Sequence, residues 1–133
     1  MSDRTWVHVT IRECDADEGN KLGPETVDKN GNGTRTLNFD DCTPGAMVND
    51  FTKSGLPFTW LHGAGYGYAG YMGYSDGTEG DYWQCSHDGD PTLVVDIAEG
   101  WEIPDGLDKA MKAFGKEYDR VSEILKANEG VKQ

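Results

Sequence analysis

The stretch PDGLDKAMKAFGKEYDRVSEILKAN, residues 104–128, decides the fold. Its apolar side chains recur every three or four residues, which is the spacing of one face of an α-helix. They are Leu107, Ala110, Met111, Phe114, Tyr118, Val121, Ile124 and Leu125. The pattern predicts a helix about six turns long. Because a single apolar stripe has to be buried against another element, the helix also predicts a layer on which it packs.

Upstream of this helix the apolar residues alternate, as they do along half-buried strands. The clearest case is residues 5–12, where Val7, Val9 and Ile11 share one face. The other predicted strands are residues 34–39, 57–62, 81–87 and 92–98. A short helix is predicted near residues 44–53, with Thr43 as its N-cap and Pro44 in its first position. The polar stretch of residues 13–33 has no such pattern and is predicted to be a long loop.

The order of these elements favours an α+β fold in one domain, residues 1–133. Strands and helices do not alternate along the chain, so a doubly wound parallel sheet is not expected. The economical arrangement is an antiparallel sheet of about five strands. The long C-terminal helix would pack on one face of the sheet, and the short helix would lie near residues 44–53. A chain of 133 residues is of the usual size for a single domain.

The net charge of −12 excludes several classes of function. The 24 acidic and 12 basic residues do not provide the basic surface that direct binding to nucleic acid or to an anionic membrane requires. The chain has no apolar run long enough to cross a bilayer and no signal-peptide pattern at its N-terminus. Three widely spaced cysteines do not indicate a disulfide framework. We therefore expect a cytoplasmic protein, in the host cytoplasm if a phage encodes it.

The acidic residues are distributed unevenly. No lysine or arginine occurs between Lys53 and Lys109, whereas this interval contains ten acidic residues. Residues 13–41 contain eight acidic and three basic residues, and the predicted C-terminal helix is balanced. Clustered negative charge destabilises a fold by self-repulsion, so it has either a solubility role or a basic partner.

A glycine- and tyrosine-rich segment, residues 61–74, lies inside the interval without basic residues. Tyrosine provides contact area at a low entropic cost and glycine provides adaptability, so this composition is typical of binding loops. Alternatively, the segment forms strands in which tyrosines stack over glycines. The predicted partner-binding residues are Tyr66, Tyr68, Tyr71, Tyr74, Asp76, Glu79, Asp81, Asp88 and Asp90. The GxGxxG pattern at residues 65–70 lacks the helix that a dinucleotide site requires.

Catalytic and cofactor motifs are weak in this sequence. It contains neither GxSxG nor HExxH, and 24 acidic residues make any carboxylate pair unspecific. We therefore expect a protein that is not an enzyme and has no cofactor. Asp28, Asn30 and Asn32 match the start of a calcium-binding loop, but the twelfth position is Phe39 where the loop needs glutamate. A small ligand- or calcium-binding domain is thus an alternative, as is a subunit of a larger assembly.

In size, charge and aromatic content the chain is similar to small acidic inhibitors. These include phage anti-defence proteins such as anti-CRISPR and anti-restriction proteins, immunity proteins that neutralise nuclease toxins, and DNA mimics. The resemblance is one of composition and assigns no residue roles. It implies a binding protein that occupies the phosphate-binding groove of a basic partner, such as a nuclease or a CRISPR effector. The sequence leaves the oligomeric state open.

Overall fold

A computed structural model describes residues 5–64, 69–86, 88–93 and 106–127. The strands are β1 (Thr5–Arg12), β2 (Thr26–Lys29), β3 (Thr34–Cys42), β4 (Phe58–His62), β5 (Tyr71–Ser75) and β6 (Gly80–Gln84). The helices are α1 (Ala16–Asn20), α2 (Pro44–Ser54) and α3 (Leu107–Lys126), and a 3₁₀ turn (Glu13–Asp15) precedes α1. This is the predicted α+β class, with six described strands where about five were expected.

The strands form one antiparallel sheet in the order β2-β3-β1-β4-β5-β6. In the centre, Val9 pairs with Leu37 of β3 and with Trp60 of β4, and Trp60 in turn pairs with Gly73 of β5. Residues that are directly paired across neighbouring strands point to the same face, so these four residues share one face, which we call the α2 face. The residues next to them along each strand point to the opposite face. The opposite face, which contains Leu61 and Met72, is called the α3 face.

Among the described residues, the α2 face contains the larger part of the core. Phe51 of α2 is fully buried, and its ring centroid lies 5.4 Å from that of Phe58 and 6.0 Å from that of Phe39. The buried cluster consists of Val7, Val9, Ile11, Leu37, Phe39, Phe51, Phe58 and Trp60. The predicted start of α2 is confirmed: Thr43 is the N-cap and Pro44 opens the helix. Gly55 follows the last turn at φ 77°. The alternating apolar residues of β1 and the apolar residues of α2 therefore pack into one continuous cluster on this face.

Helix α3 packs on the other face, as the spacing predicts. Phe114, Val121 and Leu125 are its buried residues. Phe114 contacts Tyr74 and Trp83, with ring centroids 5.5 Å and 5.9 Å apart. The helix thus covers the half of the sheet that contains β4, β5 and β6. No helix in the described parts of the chain has the length and apolar content that crossing a membrane requires.

The prediction of a long loop over residues 13–33 is wrong. This stretch contains the 3₁₀ turn, α1 and the edge strand β2. Helix α1 packs closely on the sheet through Gly19, where a Cβ atom would lie 2.6 Å from Cδ1 of Ile11. Periodicity gave no signal here because every residue of β2 is exposed and Gly19 is the only buried residue of α1.

Four of the five predicted strands are confirmed. β1, β3, β4 and β6 correspond to predicted strands, and β3 pairs with β1. The predicted strand of residues 92–98 lies mostly outside the described residues. Cys14, Cys42 and Cys85 form no disulfide bonds.

Candidate functional site

A groove opens on the α2 face between helix α2 and the hairpin of β5 and β6. Its first compartment has a volume of about 270 Å³ and is mostly apolar. It is lined by Pro44, Gly45, Val48, Trp60, His62, Tyr71 and Tyr82. Its second compartment, of about 210 Å³, shares Val48, Trp60 and Tyr82 with the first and continues to Thr78, Glu79 and Asp81. The groove is therefore apolar at one end and bordered by carboxylates at the other.

Four aromatic rings follow one another along the floor and edge of this groove. Trp60 and His62 are stacked at 5.8 Å with their planes 6° apart, and Tyr71 lies 5.8 Å from His62. Tyr82 meets Tyr71 edge-to-face at 5.7 Å. Three of the four rings are partly or fully buried, whereas Tyr82 is 62% exposed. A large exposed aromatic residue at the end of a buried aromatic row is a typical contact residue of a binding surface.

Gly73 allows the floor to be flat. The indole of Trp60 lies over Gly73, where a Cβ atom would be 2.5 Å from Cε2 and Cζ2 of that ring. No other residue type fits beneath the ring without moving it. The stacking of aromatic residues over glycine, which the sequence left as an alternative, therefore occurs here with a tryptophan over Gly73.

His62 contributes to the floor as a neutral ring. It is buried, and its Nδ1 donates a hydrogen bond to the carbonyl oxygen of Gly63 at 2.7 Å. Burial lowers the pKa of His62 below its ordinary value, since a charged imidazole loses its hydration inside the protein. The ring is thus uncharged at neutral pH, and the carboxylates at the far end of the groove face no positive charge from it.

The carboxylates near the groove have different local roles. Glu79 and Asp81 are exposed at the β5–β6 turn. Asp81 Oδ1 also accepts the backbone N–H of Tyr82 at 2.8 Å, which occupies a donor of this edge strand. Asp76 instead stabilises the turn, because its Oδ1 accepts the N–H groups of Thr78 and Glu79, each at 2.9 Å. These bonds, together with a contact to Arg120, lower the pKa of Asp76.

The structure does not bring all the predicted partner-binding residues together. Tyr71 and Tyr74 lie on opposite faces of β5: Tyr71 lines the groove, whereas the ring of Tyr74 packs against Phe114 of α3. Burial raises the pKa of Tyr74. Tyr66 and Tyr68 lie outside the described residues. Of the predicted set, Tyr71, Tyr74, Glu79 and Asp81 line the groove, but Tyr74 and Asp81 pair with each other on the α3 face of the hairpin and only border the rim of the second compartment.

Asp88 and Asp90 are exposed in the turn that follows β6. In that turn the Asp90 N–H donates to Ser86 Oγ at 3.2 Å, and the Ser86 N–H donates to the Asp90 carbonyl at 2.9 Å. The turn lies at the other end of the hairpin from Glu79. Asp88 and Asp90 do not line either compartment of the groove.

Sequence reasoning missed Tyr82, Val48 and Pro44 as groove residues. Tyr82 belongs to the predicted strand of residues 81–87, so alternation places it on the face opposite Trp83. That signal was present in the sequence. The position of α2 beside β5 and β6 had no sequence signal, because these elements are distant along the chain.

The calcium candidates are part of the hairpin of β2 and β3. Asn38 Nδ2 donates to Asp28 Oδ2 at 2.9 Å, and Asn32 Oδ1 accepts the N–H and hydroxyl of Thr34. Asn30 directs its Nδ2 donor at Thr34 Oγ1. A calcium ion would have to displace these hydrogen bonds. In the described parts of the chain, no three His, Cys, Asp or Glu residues are grouped so that they could hold a metal ion.

Comparisons with protein-family models, curated proteins and solved structures find no match to this chain. Its function has to be inferred from the geometry of the groove and from its charge.

Proposed function

We propose that this chain is a small acidic binding protein without enzymatic activity, and that its groove accepts a basic segment of a nucleic-acid-handling protein. By occupying the lysine and arginine residues that bind phosphate, it would inhibit that partner. The proposal extends to the phage anti-defence type, anti-CRISPR or anti-restriction, and to nuclease immunity proteins, which the chain resembles in composition. One observation carries it: the exposed Tyr82 stands between an apolar compartment and the carboxylates Glu79 and Asp81.

The division of the groove into two compartments suits two neighbouring side chains of a protein segment. Pockets for drug-sized ligands have volumes of about 300–1,000 Å³. The two compartments, of about 270 and 210 Å³, are each smaller than that range. An apolar side chain in the first compartment and a basic one in the second would use both.

Charge determines which segment fits. Among the described residues, no lysine or arginine lines either compartment. Lys53 follows the groove residue Thr52 in α2, and the next basic residue of the chain is Lys109. An acidic segment would therefore be repelled, whereas an arginine could pair with Glu79 or Asp81 and stack on Tyr82.

Selection from a library of displayed random peptides tests the proposal. The wild type should enrich peptides in which arginine or lysine adjoins an aromatic or aliphatic residue. The groove variant Tyr82→Ser/Glu79→Gln/Asp81→Asn should lose this enrichment. The control Asp108→Asn/Glu123→Gln has the same change in net charge, but on exposed positions of α3, and should keep it. If the groove variant enriched the same combined basic and apolar motif as the wild type, or if the wild-type motif lacked basic residues, the proposal would be refuted.

Inhibition is tested with a purified nucleic-acid-binding protein that carries the selected motif. Addition of the wild-type chain should release the nucleic acid from it at about equimolar concentration, and the groove variant should not. Release by both proteins alike would mean that the groove is not the inhibitory surface.

A further inference from the structure

The opposite face of the sheet contains a second hollow, of about 560 Å³ and open to solvent. It is lined by Trp6, His8, Asp40, Leu61 and Asp88. None of these described lining residues belongs to the groove. The lining thus combines an indole ring with two carboxylates from distant parts of the chain.

The aromatic wall of the hollow is held by the sheet. The ring centroids of Trp6 and His8, two residues apart in β1, lie 4.6 Å from each other. The indole of Trp6 lies close to Gly63, where a Cβ atom would be 2.5 Å from its Nε1. Since only glycine permits this approach, the backbone fixes where the indole lies.

The two carboxylates come from different elements. Asp40 is an exposed residue of β3, and its N–H donates to Glu25 Oε2 at 2.7 Å. Asp88 lies in the turn after β6, which packs on the sheet because Gly89 is close to Leu61: a Cβ atom there would be 3.5 Å from Cδ2. The fold thus brings two carboxylates to the hollow that Trp6 lines, and no described lysine or arginine lines it.

We propose that this hollow is a binding site for a cationic side chain, with arginine as the best fit. A guanidinium group stacks on the face of an indole, which is the strongest of the aromatic partners for a cation. Its N–H donors would at the same time reach the carboxylates of Asp40 and Asp88. Leu61 would contact the aliphatic stem of the side chain. This site does not depend on the groove, so a basic partner could be contacted from both faces or from either one.

The probe for this site is N-acetyl-arginine amide, and the control ligand is N-acetyl-citrulline amide, which has nearly the same shape without the charge. Binding is followed by the NMR signal of the Trp6 indole N–H, which is assigned with the variant Trp6→Phe. Arginine amide should shift this signal with a saturating titration. Citrulline amide should bind at least about tenfold more weakly, because both the ion pair and the cation–π contact are lost.

Variants separate this site from a general attraction to a negative protein. Asp40→Asn and Asp88→Asn, singly and together, should weaken arginine binding by about three- to tenfold. Asp50→Asn removes an exposed charge from α2 and should leave the binding unchanged. The proposal is overturned if citrulline amide binds as well as arginine amide, or if Asp50→Asn weakens binding as much as the hollow variants do. The Trp6 signal reports on this hollow alone, because Trp6 does not line the groove, so failure here would leave the peptide selection at the groove unaffected.

Discussion

The substitution Gly73→Ala should destabilise the protein by displacing the floor of the groove. A Cβ atom at this position would lie 2.5 Å from two ring carbons of Trp60 and 2.6 Å from its Nε1. Non-bonded carbon atoms settle at about 3.5–4.0 Å, so the indole has to withdraw by about 1 Å. Overpacking of this kind costs about 1–3 kcal/mol. Replacing glycine returns about 0.4–1 kcal/mol by restricting the unfolded chain, which leaves a net loss centred on about 1.3 kcal/mol.

Equilibrium unfolding in urea, followed by circular dichroism, measures this loss. The matched control is Gly115→Ala in α3, where a Cβ atom would have no neighbour within 4 Å. That substitution should stabilise the protein by about 0.5–1 kcal/mol, since alanine is the better helix former. The same chemical change is thus expected to have opposite signs at the two positions. If Gly73→Ala were as stable as the wild type, the Trp60 indole would not rest on Gly73 and the geometry of the groove floor would be wrong.

Three further predictions concern the charged and titrating groups. Arg35→Gln should lower the free energy of unfolding, measured in urea, by about 2 kcal/mol. The reason is that Arg35 Nε and Nη2 each lie 2.6 Å from a carboxylate oxygen of Glu13, and both side chains are largely buried. An unchanged midpoint of urea unfolding would contradict this. Asp76→Ala should cost about 1 kcal/mol at pH 7. Because the pKa of Asp76 is lowered in the folded state, the difference from wild type should shrink as the pH falls through that pKa, and a constant difference would argue against it. The pKa of His62 is also lowered in the folded state. Below the ordinary histidine pKa of about 6.5, the imidazole of the unfolded chain is therefore protonated while that of the folded chain stays neutral. Unfolding free energy should therefore fall from pH 7 to pH 5, and His62→Gln should show a shallower decline.

Local patterns were sufficient for the elements with a clear apolar face. β1 has three alternating buried residues, and α3 has an apolar stripe over its whole length, so both were predictable. The end of α2 was predictable from Gly55, which adopts the left-handed conformation that glycine favours. Each of these signals lies within the element itself or directly beside it.

β2 could not be predicted in this way. All four of its residues are exposed, and its position depends on pairing with β3 and on side-chain contacts such as that of Asn38 Nδ2 with Thr26 Oγ1 at 3.0 Å. A strand that buries no side chain leaves no hydrophobic period in the sequence. Its existence is decided by tertiary contacts.

The glycine- and tyrosine-rich segment shows why the site was only partly predictable. Its composition indicated a contact surface, but glycines remove the alternation that would assign each tyrosine to a face. The register of β5 places Tyr71 in the groove and Tyr74 under α3. The groove also needs Val48 from α2 and Tyr82 from β6, and only the fold brings these residues together.

The affinity of a selected basic peptide at low and at high salt tests the central claim most directly. If the acidic end of the groove holds a cation, the dissociation constant of the wild type should rise steeply with salt. The Glu79→Gln/Asp81→Asn variant should bind more weakly at low salt and approach the wild type at high salt. A wild-type affinity that does not change with salt, or a variant with the same salt dependence as the wild type, would contradict the account.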